Sequence, residues 1–221
     1  MKSLEELIGS LNILYEDNHI IIVEKFRDVL SQKDDTGDDS MVEIIKGYLK
    51  VKYNKPGNVY LGLIHRLDRR VGGVMVFAKT SKAASRLSEQ IANHELEKYY
   101  LALVDGIIDK DGEIKILLEK TKDNLAVVSK NGKEAKLEYR VLKTINDNTL
   151  VEVNLITGRY NQIRASFAHI GHPIVNDYKY SKKYKVNNQE LGLYCYKVRF
   201  SHPVTKELIE VTNYPSSNLW K

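Results

Sequence analysis

One cysteine, Cys195, stands in 221 residues, so neither a disulfide framework nor a cysteine-built zinc cluster is open to this chain. Long apolar runs are missing as well. Stretches such as Val74–Ala78 fall far short of the ~18 residues a membrane-spanning helix needs. The opening Met1-Lys2-Ser3-Leu4-Glu5-Glu6 lacks the basic start and apolar core of a signal peptide, so a soluble cytoplasmic protein is the expectation. The sequence contains no Gly-x-x-x-x-Gly-Lys-Ser/Thr loop, no Gly-x-Gly-x-x-Gly fingerprint, no Gly-x-Ser-x-Gly elbow and no His-Glu-x-x-His pair. The nucleotide, hydride-transfer, serine-hydrolase and zinc-protease chemistries tied to those motifs are set aside.

What is present is ordinary globular composition with a basic lean. Hydrophobic residues make up 43%, charged residues 29%, and the net charge is +5. The first 60 residues carry net −3 and residues 151–221 carry net +5, so the positive excess lies downstream. Tyrosine dominates the aromatics, with 14 Tyr against 4 Phe and 1 Trp. A mildly basic, tyrosine-rich chain suits RNA, because cations hold phosphates while rings stack on unpaired bases. Many soluble proteins share this balance, and tyrosines also serve as core residues.

Leu11–Tyr15 and His19–Glu24 read as two strands about a Glu16-Asp17-Asn18 turn. Asp28–Ser40 shows no recurring hydrophobic face and reads as an exposed loop. Ser40 and Glu43 form a capping box that opens a helix over Met41–Tyr53. Val74–Ala78 is a buried strand, and Ser81–Asn93 an amphipathic helix capped by Ser81 or Thr80. Glu97–Val104 is a strand. Between Ile107 and Val151, the turn pairs Asp111-Gly112 and Asn131-Gly132 predict β-hairpins. Leu150–Ile156 is a strand, Tyr160–His169 a helix, and Leu191–Phe200 and Glu207–Val211 are the last strands. No linker or repeat divides the chain. The expectation is one domain over residues 1–221, an α+β fold with a mixed, largely antiparallel central β-sheet and flanking helices.

Three clusters could carry chemistry. In His65-Arg66-Leu67-Asp68-Arg69-Arg70 one acid sits among three arginines, ahead of Gly72-Gly73. A carboxylate in contact with guanidinium groups favours its ionised form, which makes a competent nucleophile and a poor general acid. A solvated surface network would look the same. The second cluster places Arg159 and Arg164 around the start of the predicted helix, where backbone N–H groups favour an anion. The plain alternative is Thr157 as a cap beside solvated arginines. His169, His172 and Asp177 follow, but their spacing crosses Gly171 and Pro173, and no metal site is expected. In the third cluster, Lys98-Tyr99-Tyr100, a strand points the two tyrosines to opposite faces, and spacing does not choose between them. Cys195, between Tyr194 and Tyr196, reads as buried.

Taken in order, these clusters resemble the RluA family of pseudouridine synthases. Residues 65–80, HRLDRRVGGVMVFAKT, are similar to its Arg-Leu-Asp motif. Residues 98–106, KYYLALVDG, are similar to its Lys-x-Tyr segment and select Tyr100. Residues 155–178, LITGRYNQIRASFAHIGHPIVNDY, are similar to its Thr-Gly-Arg-x-x-Gln-Ile-Arg and Gly-His-Pro-Ile motif. Residues 13–25 and 194–212 match its opening hairpin and closing strands. The resemblance implies a pseudouridine-synthase-like catalytic domain that isomerises uridines in structured RNA, tRNA or ribosomal RNA. It implies that Asp68 is the nucleophile and that Arg164 pairs with it and keeps it ionised. Tyr100 would stack on the target uracil and act as a base in the rearrangement. Arg66 would help displace the nucleotide or fill its space, and Arg69 would join in binding substrate. No metal, no cofactor and no membrane are implied, and a monomer is expected.

The departures are specific. Lys25-Phe26-Arg27-Asp28 stands where the family has Lys-Pro-x-Gly, so a loop of different shape is expected. Val71-Gly72-Gly73 replaces Thr-Ser-Gly, and Asn161 and Ser166 stand where histidines are usual. Asn176-Asp177 replaces Gly-Asp, and Tyr180-Ser181 replaces Tyr-Gly. No small RNA-binding module is expected ahead of the opening hairpin. The rival reading is an RNA-binding or RNA-folding protein that kept the fold and lost the activity. A third, a metal hydrolase on His169, His172 and Asp177, lacks any supporting ligand pair.

Overall fold

The computed structural model describes residues 3–185 and 188–221, so Met1 and Lys2 of the amino-terminal segment read above lie outside the described residues. The chain forms two compact units, Met1–Leu96 with Lys197–Tyr214, and Glu97–Tyr196 with Pro215–Lys221.

The first unit begins with α1 (Leu4–Gly9), a helix not foreseen from the sequence although Ser3 and Glu6 form its capping box. Six residues are too few for hydrophobic periodicity to register. β1 (Ile13–Glu16) and β2 (Ile20–Lys25) pair through a turn in which the Asp17 carboxylate accepts the N–H groups of His19 and Ile20 at 2.7 and 2.8 Å. β2 runs antiparallel to β4 (Gly72–Ala78), and the short β3 (Gly62–Leu63) also pairs with β4. Residues 20–23 and 74–78 are wholly buried. Their unbroken apolar runs, without polar alternation, are the mark of strands covered on both faces. α2 (Met41–Lys52) buries Met41, Ile44, Ile45 and Leu49. α3 (Ser81–Ala92) starts at Thr80, whose hydroxyl accepts the Ala83 N–H at 3.2 Å. Residues 28–40 form a loop as read, closed by a bridge between Leu30 and Ser40. The chain enters this unit a second time through β10 (Leu193–Ser201), whose residues from Lys197 onward pair with β11 (Leu208–Thr212).

In the second unit the strands lie in the order β5 (Glu97–Asp105), β9 (Asn148–Leu155), β8 (Lys133–Ile145), β6 (Gly112–Lys120), β7 (Ala126–Val128), each antiparallel to the next. One core gathers Leu101, Leu103, Leu150, Val175, Tyr194 and Trp220. A second places Ala165 of α4 (Gln162–His169) against Leu118, Ala126 and Ala135, and Phe167 meets Tyr139 edge-on at 5.4 Å. The strand pairings named above are antiparallel, and the α+β reading of a mixed, largely antiparallel sheet holds.

The hairpin expectation needs correction in detail. The two-residue turn joining paired neighbours is Asn146-Asp147, between β8 and β9, with φ of 46° and 62°. Asx residues tolerate the left-handed backbone of such a turn without glycine. Asp111-Gly112 is no such turn, since the Asp111 carboxylate instead accepts the Val141 N–H at 2.8 Å. Gly132 answers a close approach, because a Cβ there would lie 2.6 Å from the Leu118 carbonyl carbon. α4 begins two residues later than predicted, since Asn161 takes a left-handed φ of 48°. Among the described residues no helix is long and apolar enough to cross a membrane.

Phe167 is fully buried. Phe167→Ala should cost about 3–5 kcal/mol of stability in urea unfolding, and a loss below about 1 kcal/mol would contradict tight seating of α4.

Candidate active site

In the first unit the His65–Arg70 cluster lies on the loop from β3 to β4, and its own residues fasten it. Buried His65 accepts the Val76 N–H at Nε2, 3.1 Å away, so its neutral ring carries the proton on Nδ1. Buried Ser31 makes two bonds to Leu67. Its hydroxyl donates to the Leu67 carbonyl at 2.7 Å and accepts the Leu67 N–H at 3.1 Å. Asp68 accepts the Arg70 N–H through Oδ1 at 2.9 Å, and its carbonyl accepts the Val71 N–H at 3.0 Å. The carboxylate thus sits in an Asx turn within a β-turn. Gly73, paired with Lys25, has φ 126°, a conformation open to glycine.

Lys25 is the residue that sequence reasoning passed over. It ends β2 only 1% exposed, and its ammonium donates to the carbonyls of Phe26, Arg69 and Val71 at 2.9, 2.9 and 2.8 Å. Two of its three donors therefore tie the end of β2 to the stretch just after Asp68. Burial pushes its pKa down to about 7, against the opposing pull of Asp68 and Asp28. A lysine closing an apolar strand was the available signal. Its depth could not be read, because lysines at strand ends are usually solvated.

The flanking arginines differ. Arg66 is exposed, and its Nε donates to Gln32 at 3.1 Å. Arg69 is half-buried and bound to the loop of residues 28–40, with Nη2 2.7 Å from the Asp38 carboxylate and Nε donating to the Asp28 carbonyl at 3.2 Å. Asp28 has φ 64°, the left-handed region suited to the glycine of Lys-Pro-x-Gly.

In the second unit, strand alternation separates the two tyrosines. Tyr99 packs on the core of Leu101 and Leu103, and its hydroxyl bonds Glu97 at 2.7 Å. Tyr100 faces the other way, is 5% exposed, and meets Cys195. Burial, with the Cys195 thiol beside it, raises the phenol well above its usual range. Burial likewise pushes the thiol up to about 12, against the pull of Lys98 and Tyr100. Tyr100 is therefore a neutral phenol in this state.

Most of the Thr-Gly-Arg-x-x-Gln-Ile-Arg motif is scaffold. The Thr157 hydroxyl accepts the Lys136 N–H at 2.8 Å, so it binds β8 rather than capping a helix. Buried Gln162 donates to the Lys136 carbonyl at 3.0 Å and accepts from the Thr157 hydroxyl and the Arg159 N–H. Arg159 donates to the Glu134 carbonyl at 2.8 Å. Arg164 is 2% exposed and lies in a fork–fork pair with wholly buried Asp177, Nε to Oδ2 at 2.7 Å and Nη2 to Oδ1 at 2.6 Å. The Tyr180 ring lies 5.2 Å from the guanidinium carbon. Asp177, weighed in the sequence as a metal ligand, is thus committed to an arginine. His172 Nδ1 lies 2.9 Å from the Asp105 carbonyl, and among the described residues no three His, Cys, Asp or Glu side chains form a metal group.

Two substitutions test these anchors. Asp177→Asn removes the charge that two guanidinium nitrogens of buried Arg164 meet and should cost about 3–5 kcal/mol in urea unfolding. For Lys25, between pH 7 and the ordinary lysine value of 10.5 the unfolded chain holds a proton that the folded chain has released. The unfolded state binds more protons there, so stability rises with pH through that window, by up to about 1.4 kcal/mol per unit. Urea titrations at pH 7 and pH 9 should show the wild type gaining stability relative to Lys25→Met at the higher pH.

The family model described as RNA pseudouridylate synthase matches residues 19–169. Ribosomal large subunit pseudouridine synthase C of Buchnera aphidicola subsp. Baizongia pistaciae is 34% identical over 212 residues, covering 90% of this chain and 65% of that protein. An RNA pseudouridine synthase of Aquifex aeolicus is 36% identical over 211 residues, covering 89% of this chain and 67% of that protein. The structure of human RNA pseudouridylate synthase domain containing 4 matches with a TM-score of 0.79 at 21% identity, over 96% of this chain and 91% of the other, a likeness of fold. The chain spans just under two thirds of the length of such relatives as the Buchnera protein. The matched stretch runs from the opening hairpin through α4 and takes in Asp68, Tyr100 and Arg164, and the chain belongs to the RNA pseudouridylate synthase family.

Proposed function

We propose that the protein isomerises uridine to pseudouridine in tRNA or ribosomal RNA, with Asp68 as the nucleophile. The observation that carries this reading is the fastening of Asp68. Its carboxylate sits in an Asx turn pinned on one flank by the paired bonds of Ser31 to Leu67 and on the other by the Lys25 bonds to Arg69 and Val71, in a chain of this family. A carboxylate already held in place needs little reorganisation before it attacks.

The reaction breaks the uridine N1–C1′ bond, turns the uracil and joins C5 to C1′, and the proton lost from C5 is balanced by one taken up at N1. The target nucleotide must leave its stack, and this cost is offset by stacking and phosphate contacts. The buried neutral ring of Tyr100 supports a stacking role. Arg164, oriented by Asp177, serves as the cationic partner of Asp68, as the resemblance implies. Arg66, exposed on the Asp68 loop, enters the space the nucleotide leaves. Arg69 reaches substrate only by exchanging Asp38 for a phosphate. Both units belong to one catalytic domain that works as a monomer in the cytoplasm without metal or cofactor. The printed names of the Buchnera and Haemophilus influenzae relatives favour ribosomal RNA among the candidate substrates.

Asp68→Asn should abolish pseudouridine formation, assayed by chemical mapping of RNA from cells lacking the gene and complemented with wild type or variant. Circular dichroism should show the variant folded. Full activity in Asp68→Asn would remove Asp68 from the mechanism. A wild type that binds RNA and forms no pseudouridine would favour the non-catalytic reading.

A further inference from the structure

The segment after Asp177 reads Tyr178-Lys179-Tyr180-Ser181-Lys182-Lys183-Tyr184-Lys185, and no acidic residue occurs between Asp177 and Glu190. Its start is fixed. The Asp177 carboxylate accepts the N–H groups of Lys179 and Tyr180 at 3.1 and 3.3 Å, and its carbonyl accepts that of Ser181 at 3.0 Å. The Tyr180 hydroxyl accepts the Ala126 N–H at 2.8 Å while its ring lies against Arg164. Lys183 lies 2.6 Å from the Asp105 carboxylate, with its ammonium 5.5 Å from the Tyr184 ring centroid. Lys179, Lys182 and Lys185 recur every third residue, are exposed, and among the described residues form no ion pair. With Tyr178 and Tyr184 they line an open concavity of about 600 Å³. Both tyrosines are half-buried, and Tyr184 leans on the core around Trp220.

Like charges gathered without counter-charges repel one another, and a polyanion relieves that repulsion. Rings set in a concavity beside cations suit a nucleic-acid strand, whose phosphates take the ammonium groups while a base stacks. A bilayer surface would call for apolar side chains directed outward, whereas the outward residues here are lysines. We infer that residues 178–185 are a docking surface for single-stranded RNA, with Lys179, Lys182 and Lys185 on backbone phosphates and Tyr178 and Tyr184 beneath a base. This inference rests on the reading of the chain as an RNA-modifying protein and assigns part of its substrate contact to a segment outside the catalytic motifs.

The test is binding of a fluorescein-labelled oligouridylate by fluorescence anisotropy across a KCl series, for wild type and two triple variants. Lys179→Ala/Lys182→Ala/Lys185→Ala should weaken binding at least about tenfold at low salt and lower the slope of log affinity against log salt by about 2. Lys179→Arg/Lys182→Arg/Lys185→Arg should keep both, because the charge is retained. In pseudouridine assays the alanine variant should raise KM and leave kcat in place. An alanine variant with unchanged affinity and slope overturns the surface. So does lysine-dependent binding to phosphatidylserine vesicles with oligouridylate binding unmoved. A wild type that forms no pseudouridine but shows the lysine-dependent slope overturns the isomerase reading and leaves the surface standing.

Discussion

Burial of positive charge is the constraint on which both candidate loops depend. An ammonium or guanidinium taken out of water is tolerated only when its donors meet acceptors. Lys25 meets that demand with three backbone carbonyls, two of them in the stretch around Asp68. Arg164 meets it with the two oxygens of Asp177. The solutions differ because the groups differ. Three tetrahedral N–H donors suit carbonyls converging from several directions, whereas a planar fork suits one carboxylate. In each case the charge organises the chain around it. Lys25 sets the Asp68 loop, and the Arg164–Asp177 pair sets the start of the lysine-rich segment.

The recognisable motifs divide into scaffold and chemistry in unequal shares. In the Asp68 motif, His65 bonds β4, Leu67 bonds Ser31 and Asp68 accepts the Arg70 N–H. In the arginine motif, Thr157 and Gln162 both fasten to Lys136 of β8.

Three of the departures from the family pattern fall at positions of left-handed backbone. Asp28 and Asn176 stand at the places of glycines in Lys-Pro-x-Gly and Gly-Asp, and both have φ 64°. Asn161 likewise has φ 48°. Asparagine and aspartate are the non-glycine residues that accept the left-handed region most readily.

Strands such as β2 and β4, the boxed start of α2 and the order of the catalytic motifs were legible in the sequence, because each rests on local periodicity, capping or a contiguous pattern. Tyr100 could be chosen only through the resemblance, and alternation on β5 then explained why Tyr99 belongs to the core. The depth of Lys25, the engagement of Asp177 by Arg164 rather than by a metal, and the isolation of Lys179, Lys182 and Lys185 were not legible. Each is set by residues far away in the chain, such as Arg69 and Val71, 44 and 46 positions from Lys25. Sequence alone determined which charged groups the protein has and the local backbone they occupy. Tertiary structure decided which of those charges are buried and by what they are met, because desolvation depends on the chain folded around a group rather than on its neighbours in sequence.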